Sequence, residues 1–214
     1  MEPLVNKESG RSPSSRGWTA VFHLLLVIVS WLGGNNAFGQ FGNSQEALES
    51  RLESAPTPAD EVLANLHLAY FLLDRDTALA VQFWDAARGI VAKEILVQTP
   101  CMFALVEGRI LLMRRNMISS GERLLEALQL AEERSLTEFE QRSCRHLAEF
   151  YLIEQEYDSA YSLATTLIPK IENKYFAAQM NLVAGWAALE LRGKLSEGRE
   201  LLGKAEVLFR QVDQ

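Results

Sequence analysis

Cysteine, histidine and positive charge are all scarce in this chain. Two cysteines in 214 residues, Cys101 and Cys144, cannot build a disulfide scaffold and lack metal-ligand spacing. Three histidines occur, His23, His67 and His146, with no second His at a ligand spacing and no His-Glu-x-x-His. Lys and Arg number 21 against 28 Asp and Glu, for a net charge of −7. That balance speaks against general nucleic-acid binding, which needs clustered bases. A Gly-x-Ser-x-Gly elbow and a phosphate-cradling loop are both missing. The expectation is therefore no enzyme, no cofactor and no metal. The glycines of "RGKLSEGRELLGK" read as a turn and packing positions.

What is present begins with an N-terminal leader. Lys7, Arg11 and Arg16 precede an apolar run, Trp18 to Leu32, and Ala37 and Gly39 are small residues at −3 and −1 before Gln40. That is the order of a signal peptide cut between Gly39 and Gln40. The run falls short of the roughly 20 residues that span a bilayer, and no Cys follows the cut to carry a lipid. Rival readings are an uncleaved anchor, the one route by which this chain would touch a membrane, and a buried helix. Removal takes three bases and two acids, so the domain becomes slightly more acidic. The chain divides into a signal peptide (1–39), a leading helix and linker (40–58) and a helical domain (59–214), placed in the periplasm or outside the cell.

Proline and glycine thin out after Pro58, and apolar residues recur at helical spacing. The spacing predicts a leading helix over 44–54, with Asn43 and Glu46 as a capping box. Four hairpins follow: 59–73 with 76–97, 100–114 with 117–134, 137–155 with 158–172, and 175–192 with 196–211. Asp76, Thr99 before Pro100, the Ser135–Glu138 box, Asp158 and Ser196 supply start signals. Gly193 and Asn173–Lys174 mark breaks. Pro169 should end or kink its helix.

The stretch "EGRILLMRRNMISSGERLLEAL" carries a recurring mark. Gly108, Ser120, Leu124 and Ala127 follow one another at steps of 12, 4 and 3. Ala148, Ala160, Ala164 and Leu167 repeat those steps. Gly185, Gly198, Leu202 and Ala205 run 13, 4 and 3, as do His67, Ala80, Trp84 and Ala87. The first marks lie 41, 40 and 37 residues apart. Small residues at these marks let two helices approach to about 8–10 Å. The apolar face that each hairpin leaves open is then buried by the next.

At this point the chain resembles the tetratricopeptide repeat (TPR) family, in a variant with repeats longer than 34 residues. "HLAEFYLIEQEYDSAYSLATTL" matches best, through Leu147–Ala148, Tyr151, Tyr157, Ala160 and Ala164. Gly108, Leu111 and Ala127 match next; His67 stands where a small residue is expected, and Ala188 where an aromatic is. The resemblance covers about 60–211 and implies an all-α, right-handed superhelical solenoid of about four antiparallel hairpins. It also implies a concave groove lined by the first helices, at positions one after the small mark and one or two turns either side. In this sequence those positions hold Leu68 and Phe71; Met102, Leu105, Arg109 and Leu112; Arg142, Arg145, Glu149 and Leu152; and Trp186. Arg109, Arg142 and Arg145 would form a basic patch able to pair with an acidic or carboxylate-bearing segment. The alternative is a solvated face, with Arg142 and Arg145 paired to Glu138, Glu149 or Glu107. Relatives that clamp C-terminal carboxylates use Lys and Asn where Leu105, Val106 and Arg109 stand here, so that activity is not implied. Phe71 and Trp186 read as packing residues before anchors.

Leu201, Leu208 and Phe209 leave an apolar face on the last helix, which suits a homodimer through the C-terminal helix or a docked partner. The reading is an exported scaffold that binds a protein or peptide in its concave groove. A sensory or regulatory module outside the cytoplasm is the alternative, and an enzyme with an unrecognised site stands behind both.

Overall fold

The computed structural model describes residues 44–90 and 95–212. The signal-peptide reading and its Gly39–Gln40 junction lie outside the described residues. The described chain is all-α, with nine helices and no strand among the described residues. They are α1 (Gln45–Glu53), α2 (Pro58–Leu72), α3 (Thr77–Gly89), α4 (Thr99–Met113), α5 (Met117–Glu133), α6 (Thr137–Ile153), α7 (Tyr157–Leu167), α8 (Lys174–Glu190) and α9 (Leu195–Val212). None is long and apolar enough to cross a membrane, among the described residues.

Helix starts are set largely by local chemistry. Asp76 accepts a hydrogen bond from the Leu79 amide at 3.0 Å and so caps α3. Ser44 caps α1, and Asn116 and Asn173 cap α5 and α8. Several expectations need correction. Ser44 rather than Asn43 caps α1, Asp158 and Ser196 lie inside α7 and α9 instead of before them, and α7 stops well short of 172. Helix α3 ends at Gly89 rather than near 97, with Ile90 already extended (ψ 125°); Gly and a β-branched residue in sequence are poor helix formers. Thr99 lies inside α4, and Gln98 takes the cap position without a side-chain bond. The Ser135–Glu138 box does not form, because Ser135 sits at φ 54° in the turn and Leu136 occupies the cap.

That turn has a recurring shape. Arg115, Ser135 and Gln155 all take positive φ. In each case the following amide closes onto a carbonyl five residues back: Asn116 to Leu111, Leu136 to Ala131, Glu156 to Tyr151. These are Schellman-type ends that satisfy carbonyls the helix leaves open. Helix α7 ends at Leu167, and Pro169 lies in a short 3-10 turn, Ile168–Lys170, as its missing N–H requires.

Each helix packs against its successor, and further contacts join α2 to α4, α4 to α6 and α6 to α8. The first helices of the four hairpins are therefore neighbours in a row. One core cluster runs from Leu48 of α1 to Leu147 of α6, and a second from Cys144 of α6 to Leu201 of α9. Leu66, Leu68, Met102, Leu105, Leu124 and Met180 are fully buried, each stabilising the fold by about 1.5–3 kcal/mol.

The small marks lie where helices touch. A Cβ on Gly108 would sit 2.9 Å from the Leu124 side chain, and the Ser120 hydroxyl donates to the Gly108 carbonyl at 2.9 Å. Gly185 and Gly198 face each other, so that a Cβ on Gly198 would lie 2.9 Å from the Gly185 carbonyl oxygen. Ala80, Ala87, Ser120, Ala127, Ala148, Ala160, Leu167 and Ala205 are all buried. His67, the odd member, is half-buried.

Candidate functional site

Helices α2, α4 and α6 bring polar side chains together in the middle of the first-helix row. On α6, Arg145, His146 and Glu149 share one face because they are spaced three and four apart. Glu149 is the hub. One carboxylate oxygen accepts from Arg145 Nε at 3.1 Å, and the other meets Arg109 Nη1 at 3.1 Å and His146 Nδ1 at 3.0 Å. Arg109, on α4, also donates through Nη2 to Asp74 at 2.6 Å, in the turn after α2. Tyr70 of α2 reaches across to His146 Nε2 at 2.9 Å, and its ring stands edge-on to the imidazole.

The proton positions follow from the partners. Glu149 can only accept when ionised, so His146 carries its proton on Nδ1, and Nε2 accepts from the Tyr70 hydroxyl. A neutral imidazole satisfies both contacts. Burial, then the nearby Arg109, lower the His146 pKa to about 4. Burial pushes Glu149 upward, but Arg145, the His146 hydrogen bond and Arg109 outweigh it and hold the carboxyl well below its ordinary range. Asp74 is likewise held low, as Arg109 and Arg145 overcome its partial burial. Two guanidinium ions thus face two carboxylates, and this part of the network is neutral.

The expected groove residues fall into distinct places. Leu68, Met102 and Leu105 are wholly buried and belong to the core that runs from α1 to α6. Phe71, Leu112 and Leu152 are buried, Phe71 under the Arg75 guanidinium at 3.9 Å from the ring centre. Trp186 is half-buried. Leu68, Phe71, Met102, Leu105, Leu112 and Leu152 are thus buried side chains rather than the lining of a preformed apolar groove. Arg109, Arg145 and Glu149 come together. Arg142 stands nearby, paired to Glu138 one turn back and lying over the Tyr70 ring. The expected Arg142–Glu138 and Arg145–Glu149 pairs are both made, but Arg145 and Glu149 are buried rather than solvated. Glu107 pairs instead with Arg123 at 3.1 Å.

Tyr70, Asp74 and His146 are members that sequence reasoning did not assign. The one legible signal was the Arg-His-x-x-Glu spacing of 145, 146 and 149. A hydroxyl–imidazole–carboxylate chain can activate a nucleophile. Here the imidazole is 2% exposed and its carboxylate is shared by two arginines. Two surface clefts lie elsewhere. One, of about 200 Å³, sits between α1 and α2 beside Arg51, Asp60 and His67. The other, of about 480 Å³, is lined by Glu107, Leu111, Ser119, Glu122, Arg123 and Glu126. No cluster of three His, Cys, Asp or Glu side chains is placed to hold a metal ion among the described residues. Cys101 and Cys144 are free and buried thiols.

No protein-family model matches the chain, and no curated protein or solved structure matches it.

Proposed function

We propose that this chain is an exported TPR-like scaffold, a right-handed superhelical solenoid whose first-helix face holds an acidic or carboxylate-bearing segment of another protein. The row of contacts from α2 through α4 and α6 to α8 supports the solenoid. The network on that row carries the functional reading. Burying Arg109, Arg145, Glu149 and His146 is expensive, and apolar residues of like volume would stabilise a core at least as well. A buried charge network on the face that such folds use for binding is better explained by recognition than by stability.

The test is site-specific cross-linking in cells. A photoreactive residue placed at Arg75, in the turn that carries Asp74, should capture a partner from the envelope fraction. The same residue at Ile118 or Leu125, exposed on α5, should not. Capture only from α5 would overturn the reading.

A further inference from the structure

Arg109 is more than nine-tenths buried, yet its Nε has no hydrogen-bond partner among the described residues. Its two Nη groups are taken, Nη1 by Glu149 and Nη2 by Asp74. Nε and Nη2 form one edge of the guanidinium, the edge on which a carboxylate can accept two parallel hydrogen bonds. Asp74 contacts Nη2 of that edge and leaves Nε without a partner. It is tethered to a tight turn, where the Asp76 amide bonds the Leu72 carbonyl at 2.8 Å, and it meets Nη2 alone.

Asp74 is also the outward member of the pair. Its side chain is 37% exposed, against 11% for Arg109 and 8% for Glu149. Turning it away from Arg109 needs a side-chain rotation in the turn and breaks no helix. The guanidinium would then stay anchored through Nη1 to Glu149, with its other edge open.

We infer that the Nε/Nη2 edge of Arg109 is a carboxylate-binding site, and that Asp74 occupies it as an internal stand-in until a partner's carboxylate displaces it. The inference rests on the scaffold reading above and adds how that face is kept closed. A free carboxylate can orient to satisfy both Nε and Nη2. Asp74, held in its turn, makes only the Nη2 contact, and the second bond is the incoming group's advantage.

The experiment uses the full-length chain and two fluorescent peptides. One is Glu-rich with an amidated C-terminus, and the other is a Gly/Ser peptide ending in a free carboxylate. Asp74→Asn and Asp74→Ser should each bind one or both peptides about tenfold tighter than the unchanged protein, the value of one good charge-assisted contact. The peptide that gains tells whether a side-chain or a terminal carboxylate is the source. Arg109→Lys in the Asp74→Asn background keeps the charge, removes the fork and should abolish the gain. If that double variant does not fold, acetate competition on Asp74→Asn replaces it: acetate should displace the peptide, and acetamide at equal ionic strength should not. No gain in either Asp74 variant, a gain that survives Arg109→Lys, or equal displacement by acetamide overturns the inference. So does failure of both Asp74 variants to fold, since Asp74 would then be required by the structure. A partner cross-linked at the face without any gain from Asp74→Asn sinks this inference and leaves the scaffold standing.

Discussion

Replacing Glu149 with Gln removes one charge from the centre of the network while keeping its shape. The carboxylate meets Arg145, Arg109 and His146 at 3.1, 3.1 and 3.0 Å, and it is 8% exposed, so solvent cannot substitute for it. Removing one partner of a buried ion pair typically costs 3–5 kcal/mol, because the remaining charge stays buried. Here Arg145 would lose its carboxylate partner and Arg109 would keep only Asp74. The Gln amide would in addition point donors at donors. A loss of about 4 kcal/mol is expected, a large part of the stability of a domain this size. Urea unfolding followed by helix circular dichroism measures it. Glu138→Gln is the control: its side chain is 53% exposed, and such pairs contribute about 0–1 kcal/mol. Replacing Arg145 and Glu149 together with Met should cost less than Glu149→Gln alone, since no charge is stranded by that pair. The reasoning fails if Glu149→Gln unfolds within about 1 kcal/mol of the unchanged protein, or if the double Met variant is the worse of the two.

Gly198→Ala and Gly203→Ala make the same chemical change on one helix. Each gains about 1 kcal/mol of helix propensity, but only at 198 would the new methyl meet backbone, whereas at 203 nothing lies within 4 Å. Thermal melting should show Gly203→Ala raised and Gly198→Ala lowered, and equal shifts would disprove the close approach of α8 and α9. His146 has a folded pKa of about 4 against about 6.5 when unfolded, so the unfolded chain binds the proton first. Its contribution is complete above about pH 6.5 and is lost as pH falls toward 4, by up to about 3 kcal/mol. Urea midpoints across that range should fall more steeply for the unchanged protein than for His146→Asn. Burial, first of all, raises the Cys101 and Cys144 thiols to about 11 and about 12. Neither should react with a thiol-specific disulfide reagent until denaturant is added, and fast native labelling would contradict their burial.

Much of the helical layout was legible in the sequence. Helix limits were readable to within a residue or two for most elements, because caps such as Asp76 and breakers such as Pro169 act on their immediate neighbours. The long miss at α3 came from an unbroken apolar pattern that ran past Gly89. Likewise, Ser135 and Glu138 have the right spacing for a box, but the turn's need for a left-handed residue took Ser135 first.

The recurring small residues, read from one sequence by their steps, already state which faces of two neighbouring helices must meet, because a Gly or Ala at a crossing is a local necessity of distance. The Arg145–Glu149 pair is similarly written in a four-residue step. What tertiary structure alone decided is where the polar groups find their partners. Asp74 and Arg109 are 35 residues apart, Arg109 and Glu149 are 40, and Tyr70 and His146 are 76. No periodicity encodes such distances, since they depend on how closely successive first helices pack. That packing turned an expected basic surface into a buried, neutral network, because charges drawn out of water must find opposite charges or give up their protons.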